Sequence, residues 1–176
     1  MKIGLCGTMS VGKTTLVNAL KELPEFANYN FATERSKYLR DLGIPLNTDS
    51  TLKGQIMFLA ERTAELLQED IITDRTIIDV IAFTKVAKSI EYYDAEAFYD
   101  LAAKLIPEYD YIFYVSSEGV DMEDNGVRET DLEYRKIIDS IIQLTIDRNK
   151  WKIKKLYTLK GSTEERIAQM KEALFL

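Results

Sequence analysis

Nine residues near the amino end carry the clearest chemistry in this chain. Gly7-Thr8-Met9-Ser10-Val11-Gly12-Lys13-Thr14-Thr15 fills the pattern G-x-x-x-x-G-K-[ST] at every fixed position. The two glycines allow positive φ, so the backbone can bend closely round a phosphate. Consecutive N–H groups then point inward as an anion nest at the start of a helix. The expected binding set is Gly7, Ser10, Val11, Gly12, Lys13, Thr14 and Thr15. Lys13 is expected to reach β- and γ-phosphates, and Thr14 to offer its hydroxyl to Mg²⁺. The competing reading is a glycine-bearing strand-to-helix turn with no ligand. The flanks favour the phosphate loop, because an apolar strand pattern precedes it and a helical pattern follows it.

Four further sets of residues bear on the same chemistry. Asp74-Arg75 closes the apolar run Asp70–Arg75. An acid there either holds Mg²⁺ and takes a proton from an attacking hydroxyl, or caps the next helix. Arg75 would add charge beside bound phosphate. Glu34-Arg35 closes the second run in the same way, as an acceptor contact or as an exposed salt bridge or cap. Gln55, Phe58 and Arg62 fall at i, i+3 and i+7 on one helix face. They suit an acceptor pocket, with Phe58 for stacking and Arg62 for an anionic group. Ordinary packing of Phe58 beside a solvated Arg62 is the alternative. Last, residues 118–130 read EGVDMEDNGVRET, a charged surface loop with an Asn125-Gly126 turn. With Arg128, and with Arg135 on the following helix, it is either a lid that closes on a nucleotide or a solvated charge run.

The elements that must position these residues alternate between strand and helix. Lys2–Gly7, Tyr29–Glu34, Asp70–Arg75, Tyr109–Ser116 and Lys155–Leu159 read as strands. Val11–Leu23, Arg35–Leu42, Asp49–Glu69, Ile77–Lys88, Asp94–Ile106, Asp131–Lys150 and Gly161–Leu174 read as helices. In Asp49–Glu69 the apolar face is expected at Leu52, Ile56, Leu59, Ala60, Thr63, Leu66 and Leu67. In Asp131–Lys150 it is expected at Leu132, Ile137, Ile138, Ile141, Ile142, Leu144 and Thr145. Ser162 to Glu165 supply a capping start for the last helix, in a turn that could also meet an adenine edge. Such alternation predicts a three-layer α/β fold with a central parallel sheet of about five strands and helices on both faces. Ligands on such sheets sit at the carboxyl ends of the strands, where the phosphate loop and both acids fall.

Composition narrows the function classes. The chain has 176 residues, 46% of them apolar, which is enough for one domain with a core. It is expected to be a single domain over 1–176. Its 23 basic and 29 acidic residues leave a net charge of −6, which argues against bulk nonspecific binding to nucleic acid. Lys150, Lys152, Lys154 and Lys155 leave a local basic groove open. With no histidine, zinc sites and histidine triads are out. The single cysteine, Cys6, gives no internal disulfide and fits a cytoplasmic protein. No run approaches the roughly 18–20 apolar residues of a membrane span. The sequence fixes no oligomeric state; a homodimer is compatible with it.

Together these residues resemble the P-loop kinases of small metabolites, the group of thymidylate kinase, the deoxynucleoside kinases and the ribosylnicotinamide-kinase-like ATPases. ITDRT looks like their DR motif, and QIMFLAER looks like the thymidylate kinase helix that carries an acceptor-binding arginine, here Arg62. TERSKYLRDLG and DNGVRETDLEYR are similar to segments of the ribosylnicotinamide group, placing Arg128 in a lid. The resemblance implies ATP- and Mg²⁺-dependent phosphoryl transfer to a nucleoside, nucleotide or similar small acceptor. Lys13, Asp74 and Arg128 would be catalytic, Thr14 and Asp74 would hold the metal, and Glu34, Arg35, Phe58, Arg62 and Arg75 would bind the acceptor. The group also contains phage kinases that act on a hydroxymethylated base in DNA. A nucleotide-hydrolysing switch is the reading from another class. Against it, Arg128 lies in the chain itself and no guanine-specifying N-K-x-D segment is present.

Overall fold

The computed structural model describes residues 1–33, 36–119 and 132–176. Five parallel strands form one sheet: β1 (Lys2–Cys6), β2 (Asn30–Ala32), β3 (Ile71–Thr73), β4 (Tyr111–Val115) and β5 (Leu156–Leu159), in the order β2-β3-β1-β4-β5. Among the described residues the helices are α1 (Lys13–Lys21), α2 (Ser36–Asp41), α3 (Leu52–Glu65), α4 (Ile77–Val86), α5 (Tyr92–Ala102), α6 (Leu132–Asn149) and α7 (Thr163–Leu174). The expected three-layer α/β fold is therefore present. Most helix and strand ends are trimmed by one to several residues, while α5 begins two residues before the expected Asp94. Pro24, for example, opens a short 3₁₀ turn (Pro24–Phe26) after α1 has stopped.

Alternation along the strands divides the core in two. Ile3 and Leu5 of β1, with Tyr111, Phe113 and Val115 of β4, face α1 and α7, where Leu16, Val17, Leu20, Met170 and Leu174 cover them. Cys6 and Ile112 face the opposite layer of α3, α4, α5 and α6. The central helix of that layer is α4, buried through Ile77, Ile78, Val80, Ile81 and Ala82, which suits a helix apolar almost all round. No helix of the described residues is long and apolar enough to cross a membrane.

Two helices bury a face that only partly matches the one apolarity predicts. On α3, Gln55, Leu59, Arg62 and Leu66 are buried, while Ile56 is 51% and Leu67 82% exposed. The inward stripe tolerates a guanidinium because Arg62 Nη2 donates to Glu65 Oε1 at 2.6 Å. On α6, Tyr134, Arg135, Ile138, Ile142, Thr145, Ile146 and Asn149 are buried, and Leu132, Ile137 and Leu144 face outward. Asn149 is accommodated by donating to Tyr99 Oη at 2.9 Å and to the Thr145 carbonyl at 2.8 Å. A stripe shifted by one residue turns through about 100°. Satisfied polar groups thus decide which of two overlapping stripes faces in.

The chain leaves β3 on one side of β1 and returns as β4 on the other. The crevice at the carboxyl end of β1 is thus a topological switch point. Gly4, mid-strand in β1, makes room beneath it. A Cβ there would stand 2.5 Å from Thr76 Cγ2 and 2.8 Å from the Tyr109 ring. That ring is buried, and its hydroxyl accepts from Ile77 N at 3.2 Å. Burial pushes the Tyr109 phenol above its ordinary range, so it stays a neutral partner. Gly4→Ala is expected to lower the unfolding free energy by about 1–3 kcal/mol, the usual cost of overpacking. A urea midpoint equal to that of the unaltered chain would refute this packing account.

Candidate functional site

The phosphate loop lies between β1 and α1, as its sequence requires. Gly7 has φ 150, and a Cβ there would meet the Val115 carbonyl at 2.6 Å. Gly12 is left-handed at φ 83 and caps α1. Ser10 is also left-handed, at φ 56, a conformation that places consecutive amides in a nest. Lys13 is buried, and its ammonium donates to the carbonyls of Gly7 at 2.5 Å and Thr8 at 2.7 Å. Burial lowers its pKa from the ordinary lysine value. Thr8 Oγ1 donates to the backbone carbonyl of Arg135, bringing the start of α6 onto the loop.

β3 delivers Asp74 to the same place. Its carboxylate is fully buried, and Thr14 Oγ1 donates to Oδ2 at 2.5 Å. The cap of α4 is Thr76, whose hydroxyl accepts from Ile78 N, so Asp74 does not serve as that cap. The residues around the phosphate-loop cavity include Ser10, Gly12, Lys13, Thr14, Asp74 and Arg75. Of the sequence-predicted loop residues, Gly7 and Thr15 are not among those around this cavity, and Thr15 is an exposed residue of α1.

Next to this cavity lies a small, mostly apolar recess. Gln55 and Phe58 of α3, Arg75, and Asp79, Val80 and Phe83 of α4 help to line it. The Arg75 guanidinium stands 5.0 Å from the Phe83 ring centroid. Gln55 is 2% exposed, and among the described residues none hydrogen-bonds its side-chain amide. Arg62 does not join the recess: its guanidinium is 2% exposed and engaged by Glu65. Glu34 and Arg35 lie outside the described residues, as does Arg128 with most of the expected lid. Gly161 and Ser162 form a left-handed turn and a capping box with Glu165. The basic run at 150–155 precedes β5, at the amino end of the sheet, opposite the phosphate loop.

Sequence reasoning missed Asp79. This fully buried carboxylate accepts from Gly7 N at 3.2 Å and from Thr76 N and Oγ1, both at 2.8 Å. It thereby ties the first glycine of the loop to the start of α4. The pattern Thr76-x-x-Asp79 is a capping-box signature that the sequence displays. Its reach across to Gly7 is visible only in three dimensions.

Comparison with known proteins bears on the family and the fold. Residues 2–166 match the family described as AAA domain. Comparison with curated protein sequences finds no match. Among solved structures, deoxyadenosine kinase from M. mycoides with dCMP and dCDP bound is similar over 99% of this chain and 98% of its own, with a TM-score of 0.70 and 20% identity. NadR in complex with NAD and AMP-PNP has a TM-score of 0.73 and 16% identity over 99% of this chain, which spans 49% of NadR. YorR from Bacillus subtilis in complex with phosphorylated GDP has a TM-score of 0.52 and 15% identity, with 98% and 93% covered.

The Asp79 contacts generate a stability prediction. Asp79→Asn keeps the shape but sets a donor against one of the N–H groups now accepted. Unfolding free energy is expected to fall by about 1–3 kcal/mol, the cost of an unsatisfied buried donor. A denaturant midpoint that does not move would remove the role assigned to this carboxylate.

Proposed function

Since the chain belongs to the AAA-domain family, we propose that it uses its phosphate loop for ATP- and Mg²⁺-dependent transfer of the γ-phosphoryl group to a hydroxyl or phosphate of a nucleoside, nucleotide or similar small acceptor. One observation carries this reading. Arg75 lines both the phosphate-loop cavity and the apolar recess, so the two spaces adjoin at this residue. A hydrolase needs no second recess there; a transferase does. The deoxyadenosine kinase from M. mycoides that shares this fold was solved with dCMP and dCDP bound.

The roles follow from position. Loop amides from Gly7 to Thr15 cradle the phosphates, and Lys13 turns from its carbonyl partners toward them. Thr14 and Asp74 place a hydroxyl and a carboxylate side by side, a hard-oxygen pair suited to Mg²⁺, which commonly takes one or two protein oxygens plus phosphates. When bound, the ion would supply charge neutralisation on the phosphate oxygens. Transfer breaks the bond from γ-phosphorus to the bridging oxygen and makes one to the acceptor oxygen. The acceptor's proton is assigned to Asp74 or Glu34. Arg75 and Arg128 screen the developing charge. Gln55 and Phe58 hold the acceptor, by hydrogen bonding and by stacking.

A DNA base as acceptor draws less support. The lysine run that would hold the strand precedes β5, at the end of the sheet away from the recess.

ATP turnover with and without a panel of nucleosides and nucleotides tests the reading. Acceptor-stimulated ADP release with a phosphorylated product of matching mass is the expected result. Hydrolysis that responds to a protein partner and to no acceptor would replace it with a nucleotide-hydrolysing switch. Lys13→Ala is expected to lose about 10²-fold or more in turnover, as for a preorganised charged contact. Gln55→Leu is expected to raise the acceptor KM about tenfold while leaving the ATP KM alone, the scale of one lost hydrogen bond to a polar ligand.

A further inference from the structure

Arg166 lies one turn into α7, far from every loop residue in sequence. Its guanidinium is 4% exposed, and Nη1 donates to the Val11 carbonyl at 2.5 Å. Nη2 makes a longer contact, 3.4 Å, to the Ser116 carbonyl just beyond β4. Nε has no partner, and no described carboxylate pairs with the group. The Ser162–Glu165 capping box fixes the turn that carries it. Gly12 is part of the same contact: a Cβ there would stand 3.1 Å from Nη1.

The Val11 carbonyl and the Gly12 N–H belong to one peptide unit. A trans peptide is planar, and its C=O and N–H point in opposite directions. A donor that holds the Val11 carbonyl on the α7 side therefore aims the Gly12 N–H away from α7, into the concavity of the loop. The same guanidinium leaves a positive charge behind the nest that none of the described acids neutralises.

We infer that Arg166 is a positioning residue of the phosphate site: it orients the Val11–Gly12 peptide from behind and adds positive potential for a bound triphosphate. The inference rests on the triphosphate-binding reading above. Its effect falls on the phosphate chain and leaves the recess alone. Burial lowers the arginine's pKa from its ordinary value, which accords with a cation held without a counter-ion.

Calorimetric titration of the full chain tests this, with MgATP and with magnesium tripolyphosphate, which has no base or sugar. The unaltered chain, Arg166→Lys and Arg166→Met are compared below their unfolding transitions. Arg166→Met is expected to weaken both ligands by about tenfold or more, the scale of one charge-assisted hydrogen bond. Arg166→Lys, which keeps the charge, is expected to recover part of the loss. In turnover the ATP KM rises and the acceptor KM does not. Affinities within twofold of the unaltered chain overturn the inference alone, as does an equal rise in both KM values, which a loosened fold would give. If Arg166→Met does not fold, Arg166→Lys decides. Loss of affinity at an unchanged urea midpoint then supports the role, and unchanged affinity removes it. An unaltered chain that binds neither ligand overturns the kinase reading and this inference together.

Discussion

Each peptide unit of the phosphate loop that turns its N–H inward must turn its carbonyl outward, because the unit is planar. An outward carbonyl pressed against the fold then needs a donor. The Gly7 and Thr8 carbonyls are the exception, turned to the Lys13 ammonium inside the loop. Arg166 serves Val11. Asp79 accepts from the Gly7 amide at the start of the loop. These partners come from α1, α7 and α4, helices that lie on both faces of the sheet. The shape of nine residues is thus imposed by all three layers.

That dependence explains what the sequence disclosed and what it kept back. The loop was legible because its glycines answer a local need, positive φ and a close approach to Val115, that no other residue type meets. The strands were legible because buried parallel strands are continuous apolar runs. Asp74 was legible as an acid at a strand end, and its neighbour Thr14 as a hydroxyl after the lysine. The inward faces of α3 and α6 were legible only in part, through Leu59, Leu66, Ile138, Ile142 and Thr145. Apolarity ranks Ile56 and Leu67 above Gln55 and Arg62, but a guanidinium with a carboxylate three residues on can be buried, and an amide can be turned to a recess. Arg166 left no signal, since a lone arginine in an exposed-looking helix pattern has its partner 155 residues away.

Charge is distributed to match. The chain is acidic overall, yet two of its buried cations stand at the phosphate loop, Lys13 inside it and Arg166 behind it, with the half-buried Arg75 lining its cavity. The exposed lysines at 150–155 stand at the other pole, where Lys154 meets Asp110 and Lys155 meets Tyr111 Oη. Net charge alone describes neither region, because at physiological salt fields fade within about 8 Å.

Arg75, its guanidinium 5.0 Å from the Phe83 ring centroid, lines both cavities and so is a party wall between two chambers. A molecule that shifts this wall from one side alters the shape and charge met from the other. Thermodynamic reciprocity then applies. Whatever factor a guest in the first chamber imposes on affinity in the second, the second guest imposes in return. Cooperation between two ligands thus has a place to reside without any domain having to move.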